Sequence, residues 1–195
     1  MSNTSATGGP LLPSAVPEPL EDQALRDFLQ AWISGVSGLL AEMVRPRWQP
    51  EPGNLPAENV NWAGFGVQRV ESDVNAAELH FPSDPGYNEL RRHEILNVMA
   101  SFYGPGASGY AKKFRDGIQV AQNREVLSLN SMGLVESGDV ISFPELVKNK
   151  WYYRADMSFR IRRQIVRQYP VLNIMSATAS LKNEIYTEPI NVQGA

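Results

Sequence analysis

The sequence contains no cysteine. Its absence excludes disulfides, thiol nucleophiles, and zinc or iron–sulfur sites built on cysteine ligands. Only two histidines occur, His80 and His93, and neither has a second ligand nearby at the spacing of a metal site or a catalytic pair. No apolar run approaches the roughly 18 residues that a membrane-spanning helix needs. The sequence therefore predicts no metal site, no histidine-based catalysis and no membrane span.

Catalytic signatures are missing as well. There is no G-x-S-x-G nucleophile elbow and no phosphate-binding P-loop. The formal net charge is −3 and the isoelectric point is about 5.5, which argues against a dedicated nucleic-acid-binding protein. We therefore expect a protein that is not an enzyme and that carries no cofactor.

One motif favours the opposite conclusion. Residues 104–109, GPGASG, match the G-x-G-x-x-G fingerprint of dinucleotide-binding folds, between a predicted strand and a predicted helix. The preceding strand alternates polar and apolar residues, whereas the central strand of such a fold is apolar almost throughout. A strand-to-helix turn needs no ligand, but a nucleotide-dependent enzyme that uses this loop remains an alternative.

Two helices are predicted. Apolar residues recur at helical spacing from Leu25 to Met43, and this pattern places Gly35 and Gly38 inside the first helix, where a close neighbour would explain them. A second helix is predicted from Ser108, as its N-cap, to about Arg124. Its predicted buried face consists of Tyr110, Phe114, Ile118 and Ala121.

Strands account for most of the remaining pattern. They are predicted at residues 61–71, 78–81, 90–103, 134–136, 140–143 and 151–169, with an edge strand at best in the proline-rich stretch 44–56. The order helix, strands, helix, strands indicates an α+β fold, with a mostly antiparallel sheet flanked by two main helices.

The ends of the chain differ from its middle. Residues 1–20 are rich in serine, threonine, glycine and proline, a composition that cannot bury enough apolar surface to fold alone. We therefore expect a flexible N-terminal arm at 1–20, one α+β domain at 21–176 and an extended C-terminal tail at 177–195.

The longest predicted strand, 151–169, has two different faces. Its odd positions from Trp151 to Ile161 are apolar, and its even positions are polar and rich in arginine. The alternation slips at Arg162 and Arg163, where the strand could bend. Residues 148–167 carry a formal charge of +6, so that the rest of the chain sums to −9.

A basic stripe on an acidic protein indicates complementarity to a partner. Three interpretations stay open at this point: a solvated strand face, a protein–protein contact, and a contact with phosphate or nucleic acid. Arginine is favoured in ion pairs across protein interfaces. The candidate interface residues are Arg154, Arg160, Arg162, Arg163 and Arg167.

Several stretches taken together resemble the tail (neck) terminator proteins of contractile-tailed bacteriophages. The resemblance covers roughly residues 24–175 and contains no catalytic motif. It is carried, in this order, by VRPRWQPEPGNLP, NWAGFGV, LRRHEILNVMASFYGPGASGYAKKFRDGIQVAQNREVL, MGLVESGD and RADMSFRIRRQIVRQYPVLNI.

The resemblance implies a structural virion protein of the tail or neck, assembled in the host bacterial cytoplasm. Such proteins form a homo-hexameric ring that caps the tail tube, ends its polymerisation and meets the head-completion (neck) proteins. In contractile tails the ring also meets the tail sheath protein. The genome DNA passes through the ring without specific binding, and no membrane is involved.

Overall fold

The computed structural model describes residues 3, 5–14, 19–49, 53–82, 86–147, 149–173, 176–182 and 187–193. For residues 147, 176–182 and 187–193 only the backbone is described. The chain divides into two compact units. The larger unit consists of residues 18–76 and 92–165, and the smaller unit of residues 1–17, 77–91 and 166–195.

Three α-helices and eleven strands form the described part of the chain. The helices are α1 (Asp22–Ser37), α2 (Ala107–Gly117) and α3 (Ala121–Ser128). The strands are β1 (Val44–Pro46), β2 (Trp62–Ser72), β3 (Ala77–Phe81), β4 (Gly86–Tyr103), β5 (Met132–Ser137), β6 (Ile141–Ser142), β7 (Glu145–Val147), β8 (Lys150–Tyr152), β9 (Arg154–Val171), β10 (Ser176–Lys182) and β11 (Thr187–Gln193).

The main sheet of the larger unit has the order β1-β2-β4-β9-β5, and β6 also pairs with β9. The edge strand β1 is parallel to β2, whereas β2 and β4 are antiparallel, as are β5 and β9. Strands β4 and β9 are antiparallel too, because Ser101 bonds Asp156 whereas Glu94 bonds Arg163 further along β9. The predicted α+β fold with a mostly antiparallel sheet is confirmed.

The core of the larger unit lies between its helices and one face of this sheet. Alternate residues of each strand point toward the helices, which is why the buried set has a period of two along the strands. The largest buried side chains include Phe65 from β2, Phe102 from β4, Phe159 from β9, and Trp32 and Phe114 from the helices.

Helix α1 is shorter than predicted. It ends at Ser37, and Gly38 takes the left-handed conformation, with φ of 78°, and donates its N–H to the Ser34 carbonyl. The prediction that Gly38 lies inside the helix is therefore wrong, because glycine is the residue that best tolerates this helix-ending conformation. A Cβ at Gly35 would meet nothing within 4 Å, so no close neighbour explains that glycine.

The predicted second helix is two helices. Helix α2 begins after Gly106 rather than at Ser108, and it ends at Gly117. A Cβ at Gly117 would lie 2.6 Å from Val36 Cγ1, so α1 and α2 approach closely at this point. Ala121 begins α3 and is exposed, which corrects its assignment to the buried face.

The long predicted strand is also divided. β8 pairs with β7 in a separate two-stranded sheet, and Tyr153 separates it from β9. Trp151 is 61% exposed and Tyr153 is 62% exposed, so their assignment to the buried face is wrong. The remaining odd positions, from Ala155 to Ile161, are buried as predicted.

The smaller unit is mainly strand. β3 pairs antiparallel with the first part of β4, from Ala77 opposite Arg91 to Phe81 opposite Tyr87. β10 and β11 form a hairpin from residues in which the sequence shows no clear periodicity. The boundaries proposed from sequence at 20/21 and 176/177 stay predictions.

Candidate partner interface on the open face of the sheet

The arginine stripe lies on the face of the larger unit's sheet that points away from the helices. In β9 the odd residues from 155 to 165 are buried, while residues 154–164 with even numbers are half-buried or exposed. This alternation continues through Arg162 and Arg163 without a slip. Arg162 is exposed and Arg163 occupies a buried position.

Arg160 belongs to a row of polar side chains that crosses four strands. Its Nη2 lies 3.3 Å from Glu71 Oε2 on β2, and its Nη1 lies 3.7 Å from Glu136 Oε1 on β5. Asn97 on β4, between them, donates to the other oxygen of Glu71 at 3.0 Å. The Arg160 Nε is buried and has no hydrogen-bond partner among the described residues.

Arg154 is held more tightly, at the end of the sheet. It donates to Asp156 Oδ1 at 2.7 Å and to Glu145 on β7, and its guanidinium lies 5.7 Å from the ring centres of Tyr103 and Phe143. Burial alone lowers the pKa of Arg154, but the bond to Asp156, the nearby Tyr103 and the bond to Glu145 outweigh it and raise that pKa. Arg154 therefore stays charged and ties β7 to the sheet.

Arg162 is exposed on the same face. Its side chain forms no ion pair and no hydrogen bond with the residues that the structure describes. It lines an open cleft of about 670 Å³ together with Glu71, Asp73 and His93. His93 Nδ1 lies 3.4 Å from Asp73 Oδ2, so this histidine lies beside a carboxylate.

Arg163 and Arg167 lie elsewhere. Arg163 is 7% exposed; it contacts Glu94 at 2.7 Å and Glu21 at 3.5 Å, and it donates to the Leu20 carbonyl at 2.6 Å. Arg167 is half-buried in the smaller unit. The structure thus brings Arg154, Arg160 and Arg162 to one face and places Arg163 on the opposite one.

The GPGASG loop is a structural turn. Gly104 has a φ of 101°, and a Cβ there would lie 2.4 Å from the Val60 carbonyl oxygen. The Gly106 N–H donates to Asn61 Oδ1 at 2.7 Å, so the loop's polar groups are used within the chain. The strand before the loop, β4, is antiparallel to β2, unlike the parallel strands of a dinucleotide-binding fold.

Gly104→Ala is expected to destabilise the fold by about 2–4 kcal/mol, because alanine would meet both an unfavourable φ and a backbone oxygen. Gly109→Ala, five residues on, is the matched control: it lies inside α2 with nothing within 4 Å of a new Cβ. There we expect a gain of up to about 1 kcal/mol from higher helix propensity. Thermal unfolding of both variants tests the pair, and equal effects would contradict this assignment.

No cluster of three or more His, Cys, Asp or Glu side chains that could hold a metal ion occurs within the described ranges. Across the same residues, no helix is long and apolar enough to cross a membrane.

Comparison with known proteins identifies the family. The family described as phage neck terminator protein matches residues 23–185, which is most of the chain. The chain belongs to this family. The resemblance seen in the sequence is thereby confirmed. A search of curated proteins gave no match.

Membership of the phage neck terminator family makes this a structural tail protein and points away from an enzyme. It places the chain in the virion, at the tail or neck, in contact with other tail and neck proteins. A protein of this kind works by binding other proteins, so the exposed side chains on the open face of the sheet are candidates for contact with a partner.

A second surface of this neck terminator escaped the sequence analysis. Leu146 and Trp151 lie opposite each other in the β7–β8 hairpin, 57% and 61% exposed, and Phe143 beside them is 56% exposed. The hairpin is joined to the main body by Arg154–Glu145 and by Lys150–Glu58 at 2.7 Å. The sequence analysis missed this hairpin because the polar and apolar alternation of the next strand extends back to Trp151. The polar stretch Lys148–Asn149–Lys150, which lies between apolar pairs, is nevertheless a turn signal.

Proposed function

We propose that this neck terminator forms a homo-hexameric ring that caps the tail tube, ends its polymerisation and joins the tail to the head-completion proteins. In a contractile tail the ring also meets the sheath protein, and the chain assembles in the host bacterial cytoplasm. The observation that carries the proposal is the family match across residues 23–185.

We further propose that the open face around Arg162 is the partner interface, with Arg160 and Arg154 beside it. Arg163 and Arg167 remain part of the proposed set from sequence, although Arg163 already has a complete set of partners within its own chain. A ring needs heterologous contacts, in which one patch meets a different patch on the next copy. An exposed arginine that has no partner among the described residues suits a carboxylate of a neighbouring subunit or of the tube.

The pairing of these arginines with carboxylates also affects how strongly the ring would bind DNA. Arg154, Arg160 and Arg163 are neutralised by carboxylates of their own chain. Every phosphate that a ring neutralises adds affinity through counterion release, and six copies would multiply that effect. A conduit that releases DNA should bind it weakly, so we place the arginines against protein rather than toward the channel.

Native mass spectrometry of the purified protein tests the ring. We expect a species of six subunits, and ring-shaped particles by negative-stain imaging. A chain that remains monomeric up to micromolar concentrations, and that does not cap tail tubes when added to them, would overturn the proposal.

Arg162→Glu is expected to leave the subunit folded, since the side chain is exposed and unpaired, and to abolish or strongly weaken ring formation or tube docking. Lys112→Glu makes the same change of charge on the exposed side of α2, behind the sheet, and serves as the control. Size-exclusion chromatography with light scattering compares the two. Intact rings with reduced, salt-dependent DNA retention would instead place Arg162 in the channel.

A further inference from the structure

The second half of β9 has an edge along which no described strand pairs. On the side of β5, pairing ends where Met132 lies opposite Arg163, and the Gln164 N–H donates to the Ser131 carbonyl at 3.2 Å. From residue 166 to residue 172 no described strand pairs on that side. We call this stretch the arm edge. Its other side carries β4, where Gln168 donates to Glu89 at 3.4 Å.

Residues 5–14 of the N-terminal arm lie on the arm edge. The Ser14 N–H and hydroxyl both donate to the Gln168 carbonyl, at 2.7 and 3.0 Å. The Leu172 N–H donates to Ser5 Oγ at 2.7 Å. Between these two contacts the arm is looped: residues 5–7 form a turn and Asn3 forms a parallel bridge with Leu11, so that nine positions of the arm span four positions of β9.

Proline explains why this contact is not a regular ladder. Pro170 lies midway between the two contact points and has no N–H to donate, a residue that sheets accept only at edges. The arm therefore bonds on either side of Pro170, and it uses serine hydroxyls where a ladder would use backbone groups. This edge accepts a segment that is held at two points and is poorly suited to a long regular strand.

The contact is also weak. Each hydrogen bond gains little net free energy, because it replaces a bond to water, and ordering the backbone of each residue costs conformational entropy of at least similar size. Apolar burial adds little, since Leu12 is 67% exposed. An arm held in this way exchanges readily, and an identical arm from another copy would make identical bonds.

The sequence between arm and α1 favours such an exchange. By composition, Pro17 and Pro19 favour an extended backbone in this connection. Seven residues, 15–21, join the arm to α1, and a chain of that length spans at most about 25 Å, enough to reach a copy packed alongside. We propose that in the assembled ring the arm edge of each subunit binds residues 5–14 of a neighbouring copy, an exchange that rests on the ring proposed above.

Disulfide trapping tests this exchange without interference, because the chain has no cysteine of its own. Ser14 and Gln168 are joined by a backbone hydrogen bond of 2.7 Å, which brings the two residues close to disulfide range. Ser14→Cys subunits and Gln168→Cys subunits are mixed, dissociated, reassembled and oxidised. We expect cross-linked pairs on a non-reducing gel, and each variant oxidised alone serves as the control.

The double variant Ser14→Cys/Gln168→Cys decides between the two arrangements. If arms are exchanged, oxidised rings give a ladder of cross-linked species up to six subunits. Rings that native mass spectrometry confirms, but that contain only disulfides within single chains, would overturn the exchange and leave the proposed ring standing. A chain that never forms rings would overturn both. Ser5→Cys with Leu172→Cys repeats the test at the second contact.

Discussion

Trp32→Ala should lower the free energy of unfolding by about 3–5 kcal/mol. Trp32 is 4% exposed and packs edge-on against Phe114, with ring centres 5.6 Å apart, and against Phe159 at 5.9 Å. It is the point where α1 meets α2 and the sheet. Alanine would leave a cavity among aromatic side chains that are fixed by three different elements, so the site cannot collapse to fill it.

The indole hydrogen bond is the smaller part of this loss. Trp32 Nε1 donates to the Asn123 carbonyl at 2.8 Å, and such a bond contributes about 0.5–1.5 kcal/mol. Trp32→Phe keeps most of the ring contacts and loses the bond, so we expect a cost of about 1–2 kcal/mol. Urea unfolding at matched protein concentration measures both. A wild-type midpoint for Trp32→Ala would show that this packing does not stabilise the subunit.

Arg163→Ala is expected to cost about 3–5 kcal/mol, because it would leave the carboxylate of Glu94 buried without its cation. The Glu94 side chain is 13% exposed, and its remaining bond is from the Ser72 hydroxyl at 3.3 Å. The Leu20 carbonyl would lose its donor as well. Desolvation of the unpaired carboxylate dominates, since the loss of the exposed Glu21 contact contributes little.

The neighbouring residue supplies the control. Arg162→Ala removes the same charge one position earlier, from an exposed side chain, and should change stability by no more than about 0.5 kcal/mol. A second test replaces the pair together: Arg163→Met with Glu94→Leu should recover much of the loss, because no buried charge remains. Equal effects of Arg162→Ala and Arg163→Ala on the denaturation midpoint would contradict the assignment of the two faces.

Local patterns predicted the elements that have a strict period. The alternation in β9 indicated which residues from Ala155 to Ile161 are buried, because a strand turns successive side chains to opposite faces whatever lies around it. The same alternation in β2 and β4, together with the helical spacing at the start of the chain, was enough for the α+β class. The family, too, could be recognised from residue order alone.

Element ends were less well predicted. Leu39 is buried although α1 ends before it, so the apolar spacing continues past the helix and hides its end at Gly38. Burial reports contact with the core, and a residue after the last helical turn can make that contact as well as one within it. At the division of the second helix, the backbone of Gly117 lies so close to Val36, 81 positions earlier in the chain, that a Cβ would not fit.

The arginine stripe shows where sequence reasoning ends. The sequence by itself determined that arginines alternate with apolar residues along one strand and that this strand is basic within an acidic chain. Only the tertiary structure decided that Arg160 and Arg163 are already neutralised, because their carboxylates come from Glu71, Glu136 and Glu94 on other strands. Charge pairing depends on distance in space, which the order of residues does not contain, whereas the direction of a side chain along a strand is set by the backbone of that strand alone.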